Sequence, residues 1–199
     1  MSNFKPQVLD YVLTINGFVN TKLIDLINDQ IYLKEKDSWQ AGAVTGGEEN
    51  PNGLLDGRVR SVNVKELDES DIGISVTKRI IFNELKMLTS RIEDVYKEKV
   101  GPHYFSHSNY FQFLYYNDKM KGHYEYHTDH SKKTPRNLTI IVGLNDKKEY
   151  EGGKLCIHNH DGVILDKGDI VIFPSNFMFP HKVEPVTKGE RKVLVIWTQ

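Results

Sequence analysis

Residues 122–129 read Gly122-His123-Tyr124-Glu125-Tyr126-His127-Thr128-Asp129. In an extended strand, side chains at i and i+2 project to the same face. His127 and Asp129 then stand side by side, an imidazole beside a carboxylate, which is half of a metal site. A third ligand has to come from a distant element, and His181, in Phe179-Pro180-His181-Lys182-Val183, is the candidate. Arg191 follows ten residues later, just before an apolar run that ends at Trp197. Two ligands on one strand, a third much later and then a cation give the donor order of a 2-His-1-carboxylate site with open coordination positions.

The sequence around this stretch reads as strands. Before it lies the aromatic run Tyr110–Tyr116, suited to a buried strand. After it come Asn137–Leu144, a polar hairpin loop at Asn145–Gly153, and short strands at Lys154–His158, Val163–Leu165 and Ile170–Phe173, the last stopped by Pro174. Lys182–Val186 and Lys192–Thr198 flank an expected turn at Lys188-Gly189-Glu190. About eight short strands after residue 104, with close turn signals and no helix between them, predict an antiparallel double-sheet jelly roll.

The first half is of another kind. A strand is expected over 8–15, closed by a turn at Asn16-Gly17. Asn20 or Thr21 can cap a helix carrying Leu23, Leu26, Ile27 and Ile31, running to about Lys34. Thr77–Lys99 places Ile81, Leu85, Leu88, Ile92 and Val95 on one apolar face, with Gly101-Pro102 as the stop. Such a stripe has to lie on something flat, and a sheet is the natural partner. Residues 58–66 alternate only partly as a strand. The apolar-poor stretch Gly42–Gly57 is either a surface insertion or a lid over a groove. The predicted class is α+β: a double-stranded β-helix (cupin-like jelly roll) with N-terminal supporting helices. It forms one domain over 1–199, with the support over about 1–103 and the core over about 104–199.

Composition narrows the function classes. At 199 residues, 39% hydrophobic and 27% charged, the chain suits one domain with a real core. A net charge of −1 gives no global basic field, so nucleic acid is not expected as a partner. Lys119, Lys121, Lys132, Lys133 and Arg136 do crowd the metal stretch, as a solvated face or as an attraction for an anionic cosubstrate. Cys156, the single cysteine, sits in the apolar run Leu155–Ile157 and reads as a small buried hydrophobe. There is neither a signal-like apolar core near residue 1 nor an apolar run long enough for a bilayer. A soluble cytoplasmic protein with no membrane partner is the expectation. His103, His107, His123 and His130 read as surface or hydrogen-bonding histidines, and His158 with His160 as a hairpin tip rather than a second metal pair.

From about Tyr110 to Trp197 the chain resembles the Fe(II)- and 2-oxoglutarate-dependent dioxygenases, in their prolyl 4-hydroxylase-like branch. The matching pieces are Gln112–Tyr116, Tyr124–Asp129, Arg136–Asn145, Glu151–Leu155, Gly168–Pro174, Pro180–Val183 and Gly189–Trp197, in the family's order. The resemblance implies that His127, Asp129 and His181 bind iron and that Arg191 pairs with the 5-carboxylate of 2-oxoglutarate. It also implies that Tyr116 and Thr139 lie near the cosubstrate, and that Tyr124 stands in the pocket wall. Two departures stand out: a longer segment between Tyr116 and Gly122, and Val142 where some members carry a cosubstrate-binding tyrosine. The implied activity is hydroxylation of an unactivated C–H bond, using dioxygen and releasing succinate and CO2, with ascorbate as an optional accessory. A peptidyl prolyl side chain is the leading substrate. Rivals are a free amino acid, another small molecule or a modified base, and, in another class, a cupin-like module that binds zinc or nickel and turns nothing over.

Overall fold

A computed structural model describes residues 7–44, 54–73, 75–101, 106, 110–133, 135–158 and 162–199. The chain begins with a 3-10 turn at Val8–Tyr11 and strand β1 at Leu13–Ile15. Asn20 caps helix α1 (Thr21–Ile27), its side chain accepting from the Lys22 N–H at 2.9 Å. A π-helical segment, Asn28–Leu33, carries the helix on towards Lys34. Strands β2 (Gln40–Ala41), β3 (Arg60–Ser61) and β4 (Asn63–Asp68) precede helix α2 (Val76–Val100), which Ser75 caps and Gly101, at φ 122°, ends. The remaining strands are β5 (Tyr110–Asn117), β6 (His123–His127), β7 (Leu138–Gly143), β8 (Tyr150–Gly152), β9 (Leu155–Ile157), β10 (Ile170–Pro174), β11 (His181–Val183) and β12 (Val186–Thr198).

Every strand pair is antiparallel. The large sheet runs β1-β10-β7-β12-β5-β4-β2, with β8 attached to β12, and the small sheet runs β3-β6-β11-β9. Strand alternation sorts the side chains into two cores. On β5, Phe111 and Phe113 face the helices, while Leu114 and Tyr116 face the space between the sheets. On β12, Leu194 and Ile196 pack on the helices, while Val193, Val195 and Trp197 face inward. The helix-side core takes Ile81, Leu85, Leu88 and Ile92 of α2, as their spacing predicts, and Tyr96 completes the stripe where Val95 was expected. This is the jelly roll expected from the turn spacing, with its helices laid on the outer face of the large sheet.

Several local expectations change. The strand expected over 8–15 is a 3-10 turn followed by three strand residues. The Lys188-Gly189-Glu190 turn does not reverse the chain; β12 passes through it with a register shift between Val186 and Lys188, and Gly189 takes φ 73°. Asn145–Gly153 holds a 3-10 turn and β8 rather than a bare loop. Pro174 ends β10 from within, and Val163 makes a single bridge to Leu155 instead of a strand. The N-terminal half is more than helical support, because β1, β2 and β4 widen the large sheet and β3 edges the small one. The segment 58–66 divides at the buried Val62, with one part in each sheet. Of Gly42–Gly57, residues 45–53 lie outside the described residues, as do Pro102, His103, His107, His160 and Asp161.

Candidate active site

β6 and β11 are neighbours in the small sheet, and their register sets His127 directly opposite His181. The strand β6 ends at His127, so Asp129 stands in the bend beyond it rather than on the strand. The bend still delivers the carboxylate: His127 Nε2 lies 3.7 Å from Asp129 Oδ1 and His181 Nε2 lies 3.5 Å from Asp129 Oδ2. The three ligand atoms fall within 4.8 Å of one another, and among the described residues no other three His, Cys, Asp or Glu side chains gather this way.

The backbone sets the histidine tautomers. His127 Nδ1 meets the Glu125 carbonyl at 2.8 Å, and His181 Nδ1 meets the Phe179 carbonyl at 3.1 Å. A carbonyl only accepts, so each Nδ1 carries the proton and each Nε2 lone pair is turned towards Asp129. Burial, with the neighbouring His181 second, pushes the His127 imidazole down to about 3, so it is neutral in the physiological range. Burial alone would raise Asp129, but the two histidines and the Trp197 indole outweigh it and hold the carboxylate well below the usual range. A neutral imidazole beside an ionised carboxylate, with lone pairs converging, is the form in which such groups bind a divalent cation.

Asp129 is held from behind. Its Oδ2 accepts from the Thr139 hydroxyl at 2.7 Å and from the Trp197 indole N–H at 3.0 Å. Thr139 has a single proton and gives it to an acceptor-only carboxylate, so Ser175, 2.8 Å away, must be the donor to Thr139. Thr139 therefore braces the Asp129 carboxylate and also lines the cleft, where the resemblance puts it near the cosubstrate. Trp197 and Ser175 went unsuspected, although Trp197 shares strand parity with Arg191.

Beside the triad opens a cleft of about 620 Å³, whose lining includes Tyr116, Tyr124, Thr139, Ile141 and Trp197. Tyr124 stacks on His127 at 3.5 Å between ring centroids. Val142 faces the helix-side core, and Ile141 is the residue of that pair turned to the cleft. Arg191 does not line the cleft; Tyr116 does, with the guanidinium carbon 5.1 Å from its ring centroid. Arg191 is 1% exposed, and its Nε and Nη1 have no hydrogen-bond partner. Burial raises the Tyr116 and Tyr150 hydroxyls, and the charge of Arg191 opposes it in both. A buried cation left without a counter-ion costs several kcal/mol, so this end of the site suits a bound anion.

The basic patch divides. Arg136 lines the cleft, stacked 3.5 Å over the Trp197 ring, while Lys119, Lys121, Lys132 and Lys133 are exposed and outside the lining. Arg60, within the stretch 58–66 expected only as a partly alternating strand, also lines the cleft. His123 and His130 bond to backbone carbonyls, and Cys156 is a buried free thiol, as expected.

A profile of the 2OG-Fe(II) oxygenase superfamily matches residues 111–199. A PKHD-type hydroxylase of Nitrosomonas europaea is 26% identical over 175 residues, which covers 82% of this chain and 69% of that one. A PKHD-type hydroxylase of Aliarcobacter butzleri is 29% identical over 179 residues, covering 84% and 70%. Among solved structures, a Trichoplax adhaerens prolyl hydroxylase in complex with a hypoxia inducible factor peptide superposes with a TM-score of 0.72 at 16% identity, over 95% of this chain and 83% of that one. A Pseudomonas putida prolyl-4-hydroxylase gives 0.65 at 19% identity, over 95% and 92%. The fold is thus that of the prolyl hydroxylases. The profile runs from the aromatic strand to residue 199 with His127, Asp129, His181 and Arg191 all inside it, so residues 111–199 are those of a 2OG-Fe(II) oxygenase.

Proposed function

We propose that this dioxygenase hydroxylates a prolyl side chain in a peptide, with His127, Asp129 and His181 holding Fe(II) and Arg191 holding the 5-carboxylate of 2-oxoglutarate. All 199 residues act as one domain in this reading. The observation that carries it is Arg191, a fully buried cation with two unpartnered donors on the inward face of the strand that also supplies Trp197 to Asp129. A planar guanidinium with free N–H groups suits a carboxylate, which it can engage through two parallel bonds.

When bound, iron with 2-oxoglutarate supplies the oxidising power: dioxygen is consumed, the keto acid leaves as succinate and CO2, and one oxygen atom goes to the substrate carbon. The residues of the chain provide the setting. The Glu125 and Phe179 carbonyls keep both Nε2 atoms unprotonated, and Thr139 with Trp197 fixes the carboxylate that completes the metal-binding face. Tyr116 and Arg191 form the anion-receiving part of the cosubstrate site, and Ile141, Leu155 and Val183 add apolar lining to the cleft. The names of the relatives favour a prolyl substrate, and the peptide bound to the Trichoplax enzyme favours a polypeptide. A metal-binding module without turnover is the reading from another class, and it gives Arg191 no task.

The test is an anaerobic titration of metal-free protein with Fe(II) and then 2-oxoglutarate, following the visible charge-transfer band of the chelate. The band is expected in the wild type, absent in Asp129→Ala, and displaced to roughly tenfold or higher 2-oxoglutarate concentrations in Arg191→Ala with Fe(II) binding intact. Metal binding without the band would transfer the protein to the binding-module class.

A further inference from the structure

Arg60 stands on β3 opposite Tyr124 of β6. Its guanidinium carbon lies 4.6 Å from the Tyr124 ring centroid, and that ring stacks in turn on His127. The column places a cation beside the metal ligands, on the wall of the cleft. Its partners are all neutral: Nη1 donates to the Ala43 carbonyl at 2.6 Å and Nη2 to the Gln112 side-chain oxygen at 3.4 Å. Nε is buried with no acceptor, packed against Gly42, where a Cβ would come within 2.9 Å of it. Among the described residues no carboxylate lies within ion-pair distance of Arg60. The cleft's other basic residues are compensated: Lys65 pairs with Glu35, Lys78 with Glu35 and Asp71, and Arg136 sits 3.9 Å from Asp129.

We propose that Arg60 is a specificity-determining residue that receives a carboxylate of the substrate. This rests on the oxygenase reading above. A partly buried guanidinium with spare N–H groups and no counter-ion gains most from a carboxylate arriving with the substrate. Arg191 is buried beside Tyr116 and outside the lining, whereas Arg60 lines the cleft, so the two cations answer to different anions. The stack on Tyr124 and His127 keeps the carboxylate close to the reacting carbon, within about two residues of extended peptide at roughly 3.3 Å each. The carboxylate belongs either to an acidic residue beside the target proline or to a free α-carboxylate.

Binding to Fe(II)- and 2-oxoglutarate-loaded protein, kept anaerobic so that nothing turns over, separates these sources. The probes are acetyl-Ala-Pro-Glu-Ala-amide against its Gln twin, acetyl-Glu-Pro-Ala-Ala-amide against its Gln twin, and acetyl-proline against acetyl-prolinamide. At least one acidic probe should bind the wild type about tenfold tighter than its neutral twin. That preference should vanish in Arg60→Gln and survive in part in Arg60→Lys, which keeps the charge. A preference confined to the glutamyl probes assigns a peptide, and one confined to acetyl-proline assigns a free carboxylate. Twins that bind the wild type equally, or a preference that outlives Arg60→Gln, overturn the proposal. The chelate band, read on the same samples, keeps the two readings apart: an intact band with equal twins removes only Arg60's role, whereas an absent band removes the oxygenase site and the assignment with it.

Discussion

One hydroxyl governs how Asp129 presents its oxygens. Thr139 spends its only proton on Oδ2, and Ser175 donates to Thr139 in turn, so a chain of two hydroxyls, from β7 and from the residue just after β10, braces a carboxylate that stands in a bend. Thr139→Val keeps the shape and removes the donor, leaving Trp197 as the carboxylate's remaining neutral donor. Metal affinity is expected to fall about 10- to 100-fold, the usual cost of losing a partner behind a metal ligand, with the far-ultraviolet dichroism unchanged. An unaltered Fe(II) or Co(II) titration would show that Trp197 alone suffices. The sequence placed Thr139 near the site but did not show its bond to Asp129. His-Thr-Asp reads as three strand residues, and nothing in it declares that the strand stops at His127. The i, i+2 argument therefore found the right pair for an incomplete reason: the bend, and not the pleat, aims Asp129.

At the scale of elements, β12 carries the most weight. It pairs with β5, β7 and β8 and holds Arg191 and Trp197 on one face. Its glycine was read as a reversal because Lys-Gly-Glu between two apolar strands is ordinary turn chemistry. In the folded chain the strand continues through Gly189 at φ 73°, just after a register shift between Val186 and Lys188, and a Cβ on Gly189 would sit 2.0 Å from the Glu149 carbonyl oxygen. The irregularity lets one continuous strand meet β8 at its start and β7 at its end, which is a pairing that local sequence does not encode. Gly189→Ala is expected to cost about 2 kcal/mol or more, from backbone strain and the clash together. For a chain of this size that is a fall in Tm of roughly 4–8 °C, measurable by thermal unfolding followed by circular dichroism. A change below about 1 °C would mean that the Glu149 segment yields freely.

Across the whole molecule, the two cores explain why so much of the fold was legible. Ile140–Leu144, Ile170–Phe173 and Val193–Trp197 are unbroken apolar runs because their strands are covered on both faces, by helices on one side and by the small sheet on the other. Short apolar runs between turns spell out a two-sheet protein. The partition of β2, β3 and β4 between sheets was not legible, since those strands are short and only partly buried. Within the inter-sheet core, Arg191 is the discordant residue, a charge with no counter-ion among Tyr116, Tyr150 and Val193. A core selected for stability alone would replace it, because a buried charge is often exchanged for an apolar side chain at no loss or with a gain. Arg191→Met is therefore expected to leave the Tm of the ligand-free protein unchanged or raise it. The metal-loaded wild type, given 2-oxoglutarate at about a hundredfold over its dissociation constant, should gain about a further 2.7 kcal/mol, or roughly 5–10 °C. The variant should keep the increment due to metal and lose the one due to 2-oxoglutarate. A variant that melts several degrees lower yet still responds to 2-oxoglutarate would make Arg191 a structural cation whose partner is water, and the carboxylate would then have to be received elsewhere in the cleft.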